Sequence, residues 1–272
     1  MKLIADAGST KIDWCVIADD GSLQQYASQG VNALMLSAEE MAQAFPAPPV
    51  VPESVYYYGA GCINEAVCST VASALRSVTG CRGDVEVASD MLGAARAVAG
   101  NEPAVVAIIG TGSNTCHYDG RRIISSVPPM GYVVGDYGSG TAIGKRLLAA
   151  VYKGMLPDAV RRDLEQWLQL DYADIIRRIY STPGANRFLA SLVPFVAEHR
   201  AELSPLAESC FAELFAYDLS RYDASLPLRC VGSVAATFAD ELRRAAAFAS
   251  PPRSIASVTA RPMAGLINYH NQ

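Results

Sequence analysis

A small polar turn near the start of the chain carries residues suited to phosphate binding. The turn separates two apolar runs, Leu3 to Ala5 and Trp14 to Ala18, and this pattern predicts a β-hairpin. The turn residues that can contact an anion through backbone N–H groups, hydroxyl groups or charge are Gly8, Ser9, Thr10 and Lys11. Asp6 ends the first strand. A carboxylate beside phosphates is useful only with a cation between them, so Asp6 predicts Mg²⁺.

A second turn of the same kind follows a strand predicted to begin at Val105. Its residues are Gly110, Thr111, Gly112 and Ser113. Aligning Gly8 with Gly112 places Gly110 where Asp6 stands, so the second turn offers donors without a carboxylate. One such turn is equally well explained as a tight hairpin with polar decoration. A metal-side turn facing a donor-only turn is, however, what holding a nucleoside triphosphate between two lobes requires.

Other candidate residues each allow two interpretations. Asp90 either caps a predicted helix or lies at the carboxyl end of a sheet, where open α/β folds bind ligands. Asn32 either closes a turn on its own backbone or contacts a ligand. The glycine-dense loop that holds Asp136 either approaches a ligand or only precedes a helix. The turn at Gly232 and Ser233 either offers a flat surface to adenine or ribose or is an ordinary strand-to-helix turn.

Composition limits the class of protein. A chain of 272 residues with 51% apolar content suits two domains of ordinary size. The net charge of −5 comes without a long basic run, so nucleic acid is not an expected partner. The apolar run at the N-terminus breaks at Asp6, unlike a signal peptide, and no segment has the ~18 uncharged apolar residues of a membrane span. We therefore expect a cytoplasmic protein without a membrane partner.

Cysteine and histidine usage argues against disulfide bonds and against a histidine-based zinc site or catalytic triad. The seven cysteines are odd in number and never form a C-x-x-C pair, so buried reduced thiols are expected. The three histidines are widely spaced, which makes a histidine-based zinc site or triad improbable. Residues 157–224 are predicted to be almost entirely helical, and their apolar residues at helical spacing face a core.

With these pieces placed, the chain resembles the sugar kinase/Hsp70/actin superfamily. Within it, the chain is similar to the BadF/BadG/BcrA/BcrD-type ATPases, in their N-acetylglucosamine kinase branch. The segments that carry the resemblance, in the family's order, are Asp6–Trp14, Tyr58–Cys62, Ser89–Ala95, Gly110–Asn114, Gly131–Gly140 and Val231–Val234. The resemblance covers essentially the whole chain.

The resemblance implies an α/β fold of two ribonuclease-H-like (actin/hexokinase-type) lobes around an ATP cleft, each lobe a mixed five-stranded sheet with helices. The expected N-terminal lobe spans 1–103 and is completed by a C-terminal helix at 260–272. The expected C-terminal lobe spans 104–259 and holds the second phosphate loop, the adenosine site and a helical insertion.

The resemblance also implies roles for individual residues. Asp90 matches the catalytic base and Asp6 the carboxylate on the Mg²⁺ side. The implied nucleotide contacts are Gly8, Ser9, Thr10, Lys11, Gly110, Thr111, Gly112, Gly232 and Ser233. The implied sugar contacts are Asn32, Ser113, Asn114, Gly131 and Asp136. The chain departs from the family at Tyr137, where glutamate is common, and at Ala33, where proline or histidine is common. Both departures concern the sugar side.

The expected activity is the Mg²⁺-dependent transfer of the γ-phosphoryl group of ATP to the 6-hydroxyl of an N-acetylhexosamine. N-acetylglucosamine is the favoured substrate. The small-molecule partner is thus an amino sugar, and relatives imply a homodimer. Close alternatives are an N-acetylmuramic acid or glucosamine kinase. A reductase-activating ATPase would need cysteines for an iron–sulfur cluster between subunits, which the spacing does not offer. A sugar-sensing regulator is disfavoured because no DNA-binding segment precedes Met1.

Overall fold

The computed structural model describes residues 1–8, 10–31 and 33–271. The chain divides into two compact units. The first comprises Met1–Glu102, Gly120–Arg122 and Arg261–Gln272, and the second comprises Pro103–Asp119 and Ile123–Ala260.

A mixed five-stranded sheet forms the centre of the first unit. Its strands are β1 (Lys2–Ala7), β2 (Lys11–Ile17), β3 (Leu23–Gln29), β4 (Ser54–Gly59) and β5 (Val85–Ser89), in the order β3-β2-β1-β4-β5. The first three strands pair antiparallel, whereas β4 and β5 run parallel to β1. The central strand β1 is buried on both faces, with Leu3 in one apolar cluster and Ile4 in another. A strand covered on both faces needs a continuous apolar run, which β1 has.

Three helices follow these strands along the chain. They are α1 (Ala38–Ala44), α2 (Glu65–Thr79) and α3 (Asp90–Ala99). α1 begins with a capping box, in which Ser37 and Glu40 satisfy each other's backbone N–H groups. α1 and α2 contribute to the apolar cluster that contains Leu3, through Met41 and Leu75 among others.

The second unit repeats the strand arrangement of the first. Its strands are β6 (Pro103–Ile109), β7 (Ser113–Asp119), β8 (Ile123–Val127), β9 (Leu228–Val231) and β10 (Ile255–Thr259), in the order β10-β9-β6-β7-β8. Again the first three strands are antiparallel and the last two are parallel to the first of the set. The predicted pair of mixed five-stranded sheets is confirmed in the described residues.

The helices of the second unit lie mostly between β8 and β9. They are α4 (Gly131–Val134), α5 (Gly140–Tyr152), α6 (Asp158–Leu168), α7 (Tyr172–Tyr180), α8 (Ala185–Ala190), α9 (Val193–Glu198), α10 (Arg200–Tyr217), α11 (Ser233–Thr237) and α12 (Ala239–Phe248). One turn of 3-10 helix, Leu219–Arg221, follows α10. Alternate residues of β6, such as Val105 and Ile109, join the same apolar cluster as Ile143 and Leu147 of α5. The prediction that residues 157–224 are almost entirely helical is confirmed.

The last helix, α13 (Met263–His270), belongs to the first unit. Its Leu266 and Ile267 pack with Ile4, Ile17 and Tyr58. None of the helices formed by the described parts of the chain combines the length and apolar character needed to cross a bilayer. All seven cysteines are free thiols and all but Cys68 are buried, as expected.

Candidate functional site

The first polar turn joins β1 and β2 in the first unit. The N–H of Gly8 donates to the carbonyl oxygen of Lys11 at 2.9 Å and closes the turn. This N–H is therefore not free for an anion, contrary to the expectation that the donors begin at Gly8. The Lys11 ammonium lies 2.5 Å from a carboxylate oxygen of Asp13. Ser9, the central residue of the predicted phosphate loop, lies outside the described residues.

Asp6 lies among other carboxylates of the first unit. It is directly opposite Asp13 in the β1–β2 pairing. Burial, followed by the charges of Asp13 and Asp90, raises the pKa of Asp6 to about 7, against a smaller opposing effect of Lys11. A carboxylate held among like charges is one that an added cation stabilises.

The residues near Asp6 fit Mg²⁺ in the way usual for nucleotide enzymes. Mg²⁺ takes oxygen ligands and is commonly held by one or two carboxylates together with substrate phosphates. The described residues contain no group of three or more His, Cys, Asp or Glu side chains arranged to hold a metal by themselves. Asp6 is thus suited to a site that phosphate oxygens complete.

Asp90 is the first residue of α3, and it does not cap the helix. The cap is Ser89, whose hydroxyl accepts a hydrogen bond from the N–H of Leu92 at 3.2 Å. The capping interpretation of Asp90 is therefore wrong, because the preceding residue already fills that role. An Asp90 carboxylate oxygen accepts a hydrogen bond from the N–H of Met91 at 2.8 Å. Burial raises the pKa of Asp90, so this carboxyl group favours holding a proton more than an exposed aspartate does.

Close packing fixes the helix that carries Asp90. A Cβ atom at Gly93 would lie 2.6 Å from the Cβ of Tyr58 on β4, so only glycine lets α3 approach this closely. Farther along α3, the Arg96 guanidinium donates to the Tyr58 hydroxyl at 2.7 Å and to Glu86 on β5 at 2.5 Å. Contacts with two neighbouring strands thus hold Asp90 at the carboxyl end of the first sheet.

The second polar turn joins β6 and β7. The strand pairing shows which of its residues correspond to those of the first turn, and this correspondence differs from the one expected from the sequence. The last paired residue before the turn is Ala7 in one hairpin and Ile109 in the other. Gly110 therefore corresponds to Gly8, and Ile108 corresponds to Asp6, whereas the sequence alignment placed Gly110 at Asp6. The conclusion that the second turn lacks the carboxylate is unaffected.

The start of α5 holds the second turn from one side. The N–H of Gly140 donates to the carbonyl of Gly110 at 2.8 Å. The N–H and hydroxyl groups of Thr141 both donate to the carbonyl of Thr111, at 3.1 and 3.0 Å. In the described part of the chain, the N–H groups of Thr111 and Gly112 make no hydrogen bond. The turn therefore presents free donors, as a phosphate loop requires.

Asp136 lies against this turn. Its Oδ1 accepts a hydrogen bond from the N–H of Ser113 at 3.3 Å, and a Cβ atom at Gly112 would lie 3.0 Å from its Oδ2. Burial raises the pKa of Asp136, although the hydrogen bond from Ser113 and the charge of Lys145 act in the opposite direction. Asp136 has a φ of 55°, a strained value for a residue other than glycine, and such strain concentrates at functional sites.

Two more predicted sugar contacts, Asn114 and Gly131, lie in the same unit but have different structural surroundings. Asn114 follows Ser113 on β7 and its side-chain oxygen accepts a hydrogen bond from the N–H of Thr115 at 2.9 Å. Gly131 is exposed at the start of α4, and a Cβ atom there would meet nothing within 4 Å. Among the described residues, the structure therefore brings Ser113 to Asp136, records no hydrogen bond between Asn114 and Asp136, and shows no close contact that requires Gly131.

The predicted adenosine contact is packed onto the strand that leads into the second phosphate turn. Gly232 has a φ of 130°, and a Cβ atom there would lie 2.3 Å from the carbonyl oxygen of Ile109. Its N–H donates to Thr259 at 2.9 Å, and Ser233 begins α11. Gly232 thus lies beside the end of β6, next to Gly110.

The two departures on the sugar side have structural consequences. The ring of Tyr137 packs against that of Tyr217 on α10, with centroids 4.7 Å apart, and its carbonyl accepts a hydrogen bond from the Ser113 hydroxyl at 2.8 Å. Ala33 is buried in the first unit with Val31 and Trp14. Asn32 lies outside the described residues.

Sequence reasoning missed Asp13 and Asp218. Asp13 had a usable signal, because a hairpin centred on the glycine turn places it opposite Asp6. Asp218 had none, since it follows a long helix that the pattern assigned to the core. Its pKa is raised to about 6 by burial and by the charge of Asp136.

Known protein structures provide the comparison. A Porphyromonas gingivalis protein, provisionally assigned as an N-acetylglucosamine kinase, is 36% identical, with a TM-score of 0.94 over 99% of this chain and 98% of its own. No protein-family model and no curated protein sequence matches.

More distant structures share the fold. A Chromobacterium violaceum protein with the same provisional assignment is 18% identical, with a TM-score of 0.72 over 98% of both chains. A ROK-family glucokinase from Streptomyces griseus, in complex with glucose and AMPPNP, is 15% identical, with a TM-score of 0.60 over 99% of this chain and 98% of its own. At these identities the likeness concerns the two-lobe fold alone.

Proposed function

The chain belongs to the sugar kinase family represented by the Porphyromonas gingivalis protein, and from this premise we propose that it transfers the γ-phosphoryl group of ATP to the 6-hydroxyl of an N-acetylhexosamine. N-acetylglucosamine is the first candidate, because it is the sugar in the assignment of that relative. The observation that carries the proposal is the placement of Asp90 at the start of α3, within the electrostatic reach of Asp6.

In this proposal Asp90 is the general base. Its carboxylate accepts the proton of the sugar hydroxyl as that oxygen attacks phosphorus, a role worth ~10²- to 10⁴-fold in rate. Its hydrogen bond from the N–H of Met91 orients the carboxylate. The raised pKa makes Asp90 a better proton acceptor than an exposed aspartate, provided that it is ionised at the start of the reaction.

The two glycine turns bind the phosphates. Positive potential at the phosphates comes from the free N–H groups of Thr111 and Gly112 and from the ammonium of Lys11. Electrostatic stabilisation of this kind supplies the larger share of the rate enhancement in phosphoryl transfer. Asp6 would hold Mg²⁺, which would supply positive charge to the phosphate oxygens. Ser9, Thr10 and Gly8 complete the first turn.

The nucleoside and the sugar contact other parts of the site. Gly232 and Ser233 receive the adenosine, since their turn lies beside the end of β6. The residues proposed to bind the sugar are Asn32, Ser113, Asn114, Gly131 and Asp136. Three further expectations stay predictions. Comparison with more family members tests membership of the BadF/BadG/BcrA/BcrD branch, light scattering tests the homodimer, and cell fractionation tests the cytoplasmic location.

A sugar panel tests the proposal. The purified protein is incubated with ATP, Mg²⁺ and each of N-acetylglucosamine, glucosamine, N-acetylmuramic acid, N-acetylmannosamine and glucose, with ADP release as the readout. We expect ADP release with an N-acetylhexosamine and a sugar 6-phosphate as the product seen by ³¹P NMR. Absence of sugar-dependent ADP release across the panel contradicts the proposal, as does phosphate at another position.

A further inference from the structure

A second carboxylate, that of Asp218, lies near Asp136 in the second unit. Asp218 follows the last residue of α10, and only 9% of its surface is exposed. Within the described residues its carboxylate accepts no hydrogen bond and forms no ion pair. A largely buried carboxylate without a donor is poorly solvated, and a ligand that supplies donors stabilises it.

The packing of α10 against the glycine-dense loop places Asp218 beside that loop. A Cβ atom at Gly138 would lie 3.0 Å from the Cβ of Leu214, and the ring of Tyr137 packs against that of Tyr217. Asp218 directly follows Tyr217 and is one helical turn beyond Leu214, to whose carbonyl its N–H donates at 3.1 Å. It therefore lies on the side of α10 that contacts the loop.

Electrostatic effects on pKa agree with this placement of Asp218. The charge of Asp136 acts on Asp218, and the charge of Asp218 acts in turn on the Tyr222 hydroxyl. That hydroxyl is hydrogen-bonded to Thr115, at 2.9 Å from both the hydroxyl and the carbonyl oxygen. Thr115 is the residue after Asn114, so the charge of Asp218 also reaches the part of β7 that follows Asn114.

Neither carboxylate of this pair has a lysine or arginine as an ion-pair partner in the described part of the chain. Lys145 acts on Asp136 from a distance, while its ammonium donates to the Tyr132 carbonyl at 2.6 Å. Two carboxylates without a paired cation favour a ligand that brings hydrogen-bond donors or positive charge, and they repel one that brings a carboxylate.

We propose that Asp136 and Asp218 together select the sugar by charge, accepting neutral or positively charged hexosamines and rejecting those that carry a carboxylate. This inference rests on the proposed function and narrows it, because it retains N-acetylglucosamine and glucosamine and excludes N-acetylmuramic acid. Asp218 is a specificity-determining residue in this account and takes no part in the transfer of the phosphoryl group.

The test compares kcat/KM for N-acetylglucosamine, glucosamine and N-acetylmuramic acid in the wild type and in Asp218→Asn. The wild type is expected to use N-acetylmuramic acid at least tenfold less well than N-acetylglucosamine. Asp218→Asn keeps the shape of the side chain and removes its charge. We expect Asp218→Asn to reduce the ratio of kcat/KM for N-acetylglucosamine to kcat/KM for N-acetylmuramic acid roughly tenfold, a loss of about 1.4 kcal/mol in discrimination between the two sugars. We also expect the variant to have a higher KM for glucosamine. The control Asp223→Asn changes an exposed aspartate of the same segment and should leave the ratios unchanged.

Other outcomes overturn the inference in distinguishable ways. A wild type that prefers N-acetylmuramic acid contradicts it, and so does an Asp218→Asn variant that melts normally with unchanged ratios. Sugar-dependent ADP release in these cases leaves the proposed function standing, whereas no release with any sugar removes both. If Asp218→Asn does not fold, Asp218→Ser and the wild-type ranking of the three sugars decide the question.

Discussion

His270 is a buried histidine at the end of the last helix. Its Nε2 is 2.8 Å from the Tyr58 hydroxyl, and its ring stacks on Tyr56 with centroids 3.8 Å apart. Burial, followed by the charges of Arg96 and Lys2, lowers the pKa of His270 to about 4. The folded protein therefore keeps this ring neutral at pH values where the unfolded chain protonates it.

The lowered pKa predicts a loss of stability on mild acidification. Between pH 6.5 and about 4 the unfolded state binds a proton that the folded state does not, so the free energy of unfolding falls as the pH falls through this window. Above pH 6.5 the contribution is constant. Urea titrations at pH 7.5 and 5.0 should show a larger loss for the wild type than for His270→Gln. Equal losses in both proteins contradict the assignment, because other titrating groups are common to the two.

At the level of single residues, the sequence predicted carboxylates that precede or follow a strand end. The predictions for Asp6 and Asp90 rest on this pattern, because both stand at a junction between an apolar run and a turn or helix. The capping residue beside Asp90 was assigned wrongly, since Ser89 and Asp90 are both good caps and only the backbone decides between them. Asp218 is brought to the glycine-dense loop by the packing of α10, which no local pattern encodes.

At the level of elements, two glycine turns and one strand-to-helix turn carry the residues proposed to contact the nucleotide. Hairpins with glycine turns could be predicted, because alternating apolar runs and a turn are local signals. The number of residues in each turn could not, and the alignment of Gly110 with Asp6 was wrong for that reason. The bonds from Thr141 to Thr111 were also beyond prediction, since they join segments 30 residues apart.

Gly232 offers a test of the strand-to-helix turn. Gly232→Ala forces a Cβ atom to within 2.3 Å of the Ile109 carbonyl oxygen and strains a positive φ. We expect a loss of roughly 1–3 kcal/mol in the free energy of unfolding and a raised KM for ATP with a smaller change in KM for the sugar. Calorimetry and steady-state kinetics provide these values.

The matched control for this substitution is Gly154→Ala. Gly154 also has a positive φ, of 68°, but a Cβ atom there meets nothing within 4 Å. The control should lose less stability and keep its KM for ATP. Equal effects at the two glycines would show that backbone strain, and not the approach to Ile109, decides the outcome.

At the level of the whole molecule, the two units share one strand order, with three antiparallel strands followed by two parallel ones. The two hairpins near residues 8 and 111 are the part of this repeated strand order that could be predicted from the sequence. The chain also returns to its first unit at the end, where α13 packs on Ile4, Cys15 and Ile17. The first unit thus depends on residues from both ends of the chain.

Truncation tests this dependence. A chain that ends at Ala260 lacks Met263, Leu266 and Ile267, whose burial contributes on the order of 5 kcal/mol. This is comparable to the whole stability of many domains, so we expect an insoluble or dye-binding protein. A chain that ends at His270 keeps the helix and should melt like the wild type. A soluble truncation at Ala260 with wild-type melting would contradict the role of α13.

The central claim is that Asp90 takes the proton from the sugar hydroxyl, and Asp90→Asn tests it most directly. Turnover of ATP with N-acetylglucosamine is measured for the wild type, for Asp90→Asn and for Asp84→Asn, an exposed aspartate of the same unit. We predict that kcat falls ~10²- to 10⁴-fold in Asp90→Asn, with an unchanged melting temperature, while Asp84→Asn keeps wild-type turnover. Near wild-type turnover by a folded Asp90→Asn protein would contradict the account.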